Sequence, residues 1–239
     1  MTELRVAFSA LSQVERETMQ ERVFLKLKQA LLRGELVPGQ PVTINKLAET
    51  FGTSHMPVRE AIGRLVTARA LEALPNRSVA VPALSRARLE DIMRVRAEIE
   101  GFAAGWAATR IRDDQMAGIE RQCAEMIVLA KRRDIGGFMT VHQQFHFSVY
   151  DAAGSPTLLP LIETLWLQTG PYLNLVVSDP SFRPSNAEHV DLVNALRDHD
   201  AARARSAVEA GIIDALETIS RTLEEPRAEP KQRPRRARR

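Results

Sequence analysis

The stretch LAETFGTSHMPVREAIGRLV, residues 47–66, decides the fold of the first third of the chain. It divides into two amphipathic helical segments, because Gly52 is a typical helix C-cap and Ser54 is a typical N-cap. Pro57 is compatible with the second segment only in its first turn, which fixes where that helix begins. Two short helices joined by so tight a turn are typical of a helix-turn-helix.

The flanking sequence completes a winged helix-turn-helix. Apolar residues between 23 and 31 recur at helical spacing and are followed by Gly34, which indicates a bracing first helix. After the two central helices, Val79 and Val81 alternate with smaller residues behind a Pro-Asn-Arg-Ser turn, and this pattern predicts a small β-hairpin wing. We therefore expect a winged helix-turn-helix DNA-binding domain over residues 15–82.

The rest of the chain has the apolar periodicity of helices almost throughout. The predicted helices cover roughly 85–110, 113–132, 134–153, 156–178, 185–198 and 200–224. The fold class is therefore mainly α, with an all-helical bundle over residues 85–224 behind the winged domain. Residues 226–239 are rich in Pro, Arg and Ala, and we expect them to form a basic, disordered tail.

Composition excludes several classes of protein. The 239 residues are 44% hydrophobic and 26% charged, which is typical of a globular chain and not of a disordered one. The single cysteine excludes an internal disulfide framework and indicates a reducing compartment. No run of about 18 apolar residues is present, and the first 20 residues contain no apolar core segment. We expect a cytoplasmic protein with no membrane span and no secretory signal.

Charge is distributed unevenly behind the net value of +3. Residues 1–82 contain 11 Lys and Arg against 8 Asp and Glu, and residues 83–225 contain 15 against 21. Residues 226–239 contain 7 against 1. A basic front on an acidic body indicates a two-module protein whose front binds an anionic partner, which for a winged helix-turn-helix is double-stranded DNA.

The DNA contacts are predicted at three places. The third helix enters the major groove in this fold, so its N-terminal residues meet base edges and phosphates. The tip of the hairpin is placed to contact the minor groove or the phosphates. For the arginines an alternative is an ion pair on a solvated face. The candidate DNA-binding residues are Asn45, Ser54, His55, Arg59, Arg64, Asn76 and Arg77.

Three segments of the front module resemble the GntR family of bacterial transcription regulators: LRGELVPG at 32–39, LAETFGTS at 47–54 and PVREAI at 57–62. The resemblance implies a homodimer that binds a pseudo-palindromic operator, more often as a repressor. The chain departs from the family where His55 stands in place of an arginine. It departs again at Ala70 and Ser78, which stand in place of glycines.

The helical body resembles the FCD effector domain of the FadR-type branch of that family. The similar segments are DIMRVRAEIE at 91–100, HQQFH at 142–146 and EHVDLVNAL at 188–196. The resemblance implies a small-molecule effector, most simply an organic acid. Arg96 resembles the family's arginine near the effector pocket, where it would pair with a carboxylate. The alternative partner of Arg96 is Glu100, one helical turn away.

Three histidines form a candidate metal site. His142 and His146 are four residues apart, so on a helix their Cβ atoms share one face about 5–6 Å apart. That arrangement suits two imidazoles on one divalent ion, and His189 would join them from another helix. The resemblance implies an Asp at the first position and a fourth ligand, a histidine, at or beside Gly211. We therefore expect an incomplete three-histidine site for one Zn²⁺ or Ni²⁺ per subunit, the alternative being that the histidines are structural.

These patterns favour a ligand-responsive DNA-binding transcription regulator, and a repressor in particular. The alternative is a DNA-binding regulator whose helical domain only dimerises and binds neither metal nor effector. An enzyme is the third class, because an open three-histidine site can hydrolyse substrates. No general base, phosphate loop or nucleophile elbow accompanies the histidines in the sequence, so no catalytic residues are assigned. Trp106 and Trp166 are expected in the core or at an interface.

Overall fold

The computed structural model describes residues 18–75, 78–83, 85–177 and 186–224. Within these ranges the chain forms nine α-helices and three short strands, which confirms the mainly α fold class. The N-terminal elements are α1 (Met19–Leu32), β1 (Pro41–Val42), α2 (Ile44–Phe51), α3 (His55–Thr67), β2 (Glu72–Ala73) and β3 (Val79–Ala80). The C-terminal helices are α4 (Arg86–Arg110), α5 (Asp113–Arg132), α6 (Ile135–Ala152), α7 (Leu158–Val177), α8 (Ala187–Arg197) and α9 (Ala201–Glu224).

The turn between α2 and α3 forms as the sequence predicts. Gly52 ends α2 in the left-handed conformation, with φ of 60°, and its N–H is bonded back to the helix. Thr43 caps the start of α2, its hydroxyl accepting from the Lys46 amide at 3.4 Å. Ser54 stands at the N-cap of α3 but makes no side-chain capping hydrogen bond. Its hydroxyl is therefore left for a partner outside the helix.

The wing contains one strand more than the sequence predicts. β3 pairs antiparallel with β2, as expected for the hairpin, and also with β1, where Val42 faces Val79. The strand order is β1-β3-β2. A two-residue strand carries no measurable periodicity, so β1 has no signal in the sequence. Residues 76 and 77, which the sequence predicts to form the tip of the hairpin, lie outside the described residues.

The six helices predicted for the C-terminal part are all present, and α4 lies along α9. Two glycines of α4 allow this close approach. A Cβ atom on Gly105 would lie 3.2 Å from the Ala201 carbonyl oxygen, and one on Gly101 would lie 3.0 Å from the Glu209 carboxylate. None of the described helices is long and apolar enough to cross a membrane.

Helix α7 connects the two parts of the chain. Its Gly170 packs so tightly on α1 that an added Cβ would meet the Leu31 carbonyl oxygen at 1.9 Å. Lys28 of α1 forms a 2.5 Å ion pair with Glu163 of α7. The Tyr172 hydroxyl bonds the backbone of Ser85, donating to its carbonyl and accepting from its amide. The winged part thus packs directly on a helix of the bundle.

Candidate functional site

The N-terminal half of α3 presents an exposed polar face. Ser54, His55 and Arg59 are all exposed, and Asn45 of α2 is exposed as well. Arg59 forms no hydrogen bond or ion pair with any other described residue, so its pairing alternative is not realised in this structure. A guanidinium at this position is free to bind a phosphate or the edge of a guanine.

Arg64, one turn further along α3, is engaged within the protein. Its Nη1 lies 2.6 Å from Glu21 of α1, and its guanidinium stacks 3.4 Å from the centre of the Phe24 ring. The ion-pair alternative therefore describes Arg64 in the free protein. This side chain braces α1 against α3, and it reaches DNA only if the contact with Glu21 is exchanged for one with phosphate.

Sequence reasoning missed Met56. Its side chain is 61% exposed, next to the exposed His55 in the first turn of α3. An apolar side chain at the start of a recognition helix is suited to contact thymine methyl groups. The signal available in the sequence was its position, since it falls outside the apolar stripe of α3. Asn76 and Arg77 are outside the described part of the chain.

The three predicted histidines come together. His142 and His146 lie one turn apart on α6, and His189 arrives from the first turn of α8. One nitrogen from each ring lies within 4.8 Å of the others, and the Nε2 atoms of His146 and His189 are 3.2 Å apart. Two imidazole nitrogens on one tetrahedral Zn²⁺, each about 2.0–2.1 Å from the ion, are separated by about 3.3–3.4 Å. The donor set and this spacing fit a transition-metal ion.

The protein keeps two of these imidazoles neutral. Burial holds the pKa of His142 well below its usual value of 6.5, and His189 and Arg96 add to this effect. Burial likewise lowers the pKa of His146, helped by the two other histidines and by Arg96. A metal ligand must be deprotonated, so both rings are ready to coordinate at neutral pH.

A buried hydrogen-bonded chain lies behind His146. Its Nδ1 is 3.0 Å from the Tyr150 hydroxyl, and that hydroxyl donates to Glu100 Oε2 at 2.6 Å. Glu100 has no solvent exposure, and Arg96 binds it with two hydrogen bonds of 2.5 and 3.2 Å. Burial, together with the neighbouring Glu100 charge, raises the pKa of Tyr150 well above 10, so this hydroxyl keeps its proton.

Arg96 lies beside the histidines but is already paired. Besides Glu100, it donates to the Thr169 hydroxyl at 3.2 Å, and its guanidinium lies 4.6 Å from the centre of the Trp166 ring. The salt bridge that the sequence offered as the alternative for Arg96 is therefore present. Its effector contact stays a prediction, and it would require a carboxylate to share or replace the bonds to Glu100.

Trp166 brings an unused hydrogen-bond donor to the cluster. Its ring centre is 5.9 Å from that of His142 and 5.5 Å from that of His146. The side chain is 3% exposed, yet its Nε1 has no hydrogen-bond partner among the described residues. Buried donors are rarely left unpaired, and His142 Nδ1 is unpaired in the same way within the described ranges. Two orphaned polar atoms at one place favour a bound ligand.

Gly211 has room for a side chain. A Cβ atom built on this residue of α9 would contact Glu188 at 3.7 and 4.0 Å, which are ordinary van der Waals distances. Glu188 precedes His189 on α8, so the position implied for a fourth ligand lies against the first turn of α8, and the contact within 4 Å is with Glu188 and not with a histidine. Glycine offers no ligand atom, and the site consists of three imidazoles.

The remaining residues of the site do not stand out in the sequence, or stand there only as an alternative. Tyr150 follows His142 and His146 at the same four-residue interval, and this spacing was the signal for its place on their face. Glu100 was named only as a possible partner of Arg96. Trp166 was expected in the core or at an interface, and no pattern in the sequence predicts its contact with the histidines.

Comparison with known proteins agrees with this two-part architecture. Residues 19–81 match the family described as bacterial regulatory proteins, gntR family, and residues 91–214 match the FCD domain. The chain is 30% identical to the HTH-type transcriptional regulator McbR of Escherichia coli over 182 residues, which are 75% of this chain and 82% of McbR. It is 24% identical to the HTH-type transcriptional repressor RspR of Escherichia coli, over 89% of this chain and 92% of RspR.

A solved structure extends the similarity to the whole described fold. The structure of Escherichia coli McbR/YncC superposes with a TM-score of 0.82 at 25% sequence identity. The superposition covers 87% of this chain and 100% of that one. Both the winged part and the helical part are therefore common to the two proteins.

Proposed function

The chain belongs to the GntR family of bacterial regulatory proteins, in the FadR-type branch that carries an FCD domain, and from this premise we propose that its helical domain senses a small carboxylate through a bound metal ion and thereby controls DNA binding. Members of this family are DNA-binding transcription regulators and not enzymes. The observation that carries the proposal is the three-histidine cluster, with its orphaned buried donor Trp166, inside a domain of this type.

DNA binding is assigned to the exposed start of α3. Arg59 offers a free guanidinium to a base edge or phosphate, and Met56 offers its apolar side chain to thymine methyl groups. Ser54, His55 and Asn45 add phosphate and base contacts around them. Arg64 contributes once it leaves Glu21, and the wing tip with Asn76 and Arg77 contacts the adjacent groove. The target is a pseudo-palindromic operator, and the protein acts as a repressor at it.

The metal site consists of His142, His146 and His189. Three neutral nitrogen ligands suit Zn²⁺ or Ni²⁺, and they leave the double charge of the ion uncompensated. When bound, the ion supplies a Lewis-acidic position that takes an oxygen ligand. Arg96 is neutralised by Glu100, so the ion is the main source of positive charge for an incoming anion.

The effector is therefore an organic acid. Its carboxylate would complete the coordination that Gly211 leaves open, and the unpaired Trp166 N–H would donate to one of its oxygens. Arg96 lies close enough to the cluster to orient the acid by charge. These requirements exclude cations and purely apolar molecules as effectors.

The regulator works as a homodimer, so that two recognition helices meet the two halves of the operator. An exposed apolar stripe on α4, formed by Val95, Phe102 and Trp106, favours an isologous contact along this helix. Helix α7 supports coupling to DNA, because it carries Trp166 beside the histidines and Gly170 against α1. A protein that binds chromosomal DNA of a bacterium works in the cytoplasm.

The proposal is tested by thermal unfolding and operator binding of the full-length protein. A panel of small mono-, di- and hydroxycarboxylates is added with and without Zn²⁺. We expect one acid to raise the Tm only when Zn²⁺ is present, and the same acid to change operator affinity. If no acid shifts either quantity in the Zn²⁺-loaded protein, the domain only dimerises, which the missing fourth ligand at Gly211 favours as the second candidate function.

A further inference from the structure

We propose that Tyr150, Glu100 and Arg96 act as positioning residues that hold His146 in one tautomer and so present its Nε2 to the metal ion. The inference rests on the metal site of the proposed function and goes beyond it, because it assigns a role to three residues that do not touch the ion. It is built from five hydrogen bonds in the structure, taken in order from the buried end.

The first step fixes the proton of Tyr150. Glu100 accepts hydrogen bonds from Arg96 through both carboxylate oxygens, and a carboxylate accepts hydrogen bonds and does not donate them. The Tyr150 hydroxyl must therefore be the donor in its 2.6 Å bond to Glu100. A hydroxyl has one hydrogen, so the Tyr150 oxygen is left as an acceptor toward its other neighbour.

The second step fixes the proton of His146. Its Nδ1 lies 3.0 Å from the Tyr150 oxygen, and because that oxygen can only accept, Nδ1 must carry the hydrogen. A neutral imidazole has one N–H, so Nε2 of His146 keeps its lone pair. The lone pair faces the other histidines, since Nε2 lies 3.2 Å from Nε2 of His189.

The third step concerns the contact between the two Nε2 atoms. In the metal-free protein a bare His146 Nε2 accepts from an Nε2–H of His189. An ion held at this place would displace this hydrogen, and His189 would remain a neutral ligand by carrying its one N–H on Nδ1, the exchange going through solvent. His146 needs no change of tautomer, whereas His189 must change. The chain thus prepares one ligand of an incomplete site in advance.

Such support is expected to matter for affinity. A ligating histidine that donates its other N–H is oriented by that bond and made more basic, and removal of the partner costs about 10–100-fold in metal affinity. A site with three protein ligands binds a metal ion more weakly than one with four, so the same fold-loss weakens it to the point where binding is easily measured as lost. Tyr150 therefore has a measurable effect on the metal although it does not coordinate it.

The experiment compares Tyr150→Phe with Tyr172→Phe. Both tyrosines are buried and both lose one hydroxyl, but the Tyr172 hydroxyl bonds Ser85 at the junction of α7 and α4 and is remote from His146 in the hydrogen-bond network. The full chain is first stripped of metal. Nitrogen-15 NMR of the histidine side chains then reports the tautomer of His146, and competition with a chelating dye reports the affinity for Zn²⁺.

We expect His146 to be the Nδ1–H tautomer in the wild type and in Tyr172→Phe, and a mixture of tautomers in Tyr150→Phe. We expect the Zn²⁺ affinity to fall about 10–100-fold in Tyr150→Phe alone. An Nε2–H tautomer in the wild-type spectrum overturns the proposal without any variant, and so does an unchanged Zn²⁺ affinity of folded Tyr150→Phe. If the wild type binds no Zn²⁺, the proposed metal function fails, while the tautomer comparison still decides the role of Tyr150.

Discussion

His146 and His189 are 43 positions apart in the chain, yet their Nε2 atoms lie 3.2 Å from each other. Helices α6 and α8 create this contact, and its length is close to that of two ligands on one tetrahedral ion. Metal binding by this pair is therefore the most direct test of the function proposed for the helical domain.

Removal of one histidine should abolish metal binding. We expect Zn²⁺ to raise the Tm of the wild type, because a ligand at 100 times its Kd stabilises the folded state by about 2.7 kcal/mol. His146→Ala should show no such rise. The control is His55→Ala, which removes an exposed histidine of α3 and should respond to Zn²⁺ as the wild type does. Equal Zn²⁺ shifts in His146→Ala and the wild type would show that the cluster is structural.

A histidine at position 211 should complete the metal site. The position has space for a side chain, so Gly211→His is expected to bind Zn²⁺ more tightly than the wild type. Gly211→Ala is the matched control. It should stabilise α9 by about 0.5–1 kcal/mol through helix propensity alone and leave the Zn²⁺ affinity unchanged. Dye competition measures the affinities, and equal values for the two variants would count against a fourth ligand at this position.

The metal-free protein should lose stability as the pH falls below 6.5. The pKa values of His142 and His146 are lowered in the folded state, so below 6.5 the unfolded chain binds more protons. Each histidine then contributes a slope of at most about 1.4 kcal/mol per pH unit, present above 6.5 and lost as the pH falls toward the folded-state values.

The measurement is the Tm of the metal-stripped protein between pH 7.5 and 5. His142→Phe removes one of the two groups and should flatten the dependence on pH. Protons should also begin to compete with the metal ion for the imidazole nitrogens only below pH 6.5, at a lower pH than for a histidine with an ordinary pKa. A wild-type Tm that rises on acidification through this range would contradict the direction of both pKa shifts.

The two arginines of α3 should behave differently. Arg59→Ala should weaken operator binding by about 1–3 kcal/mol and relax specificity at one base pair, with no change in Tm, because Arg59 forms no hydrogen bond or ion pair with another described residue. Arg64→Ala should weaken operator binding and also lower the Tm slightly, since it removes the contacts with Glu21 and Phe24. Fluorescence anisotropy at one salt concentration gives the affinities. Unchanged affinity in both variants would refute the assignment of α3 to the major groove.

The basic tail should add salt-dependent attraction to DNA. The segment 226–239, which lies outside the described residues, contains seven basic residues and three prolines. Deletion of residues 226–239 should flatten the slope of log affinity against log salt and leave operator preference unchanged. The alternative is a tail that makes no contact with DNA, and an unaltered slope would establish it.

Short-range signals account for what the sequence determined by itself. Gly52 and Pro57 mark the turn and the start of α3 through backbone conformations that depend on the residue alone. The interval between His142 and His146 places both rings on one face of α6 in any fold that keeps the helix. The helix bounds and the winged helix-turn-helix pattern follow from the same local periodicities.

Long-range packing decided the rest. The partner of Arg64 is Glu21, 43 positions away, and the Tyr150 hydroxyl finds Glu100 at a separation of 50. No local pattern encodes such pairs, because a charged or polar side chain chooses among all groups that the packed helices bring within about 3 Å. The sequence therefore named the three histidines and offered Glu100 as one partner of Arg96. Only the tertiary structure chose that partner for Arg96, brought His189 Nε2 to 3.2 Å from His146 Nε2, and left the Trp166 N–H without a partner among the described residues.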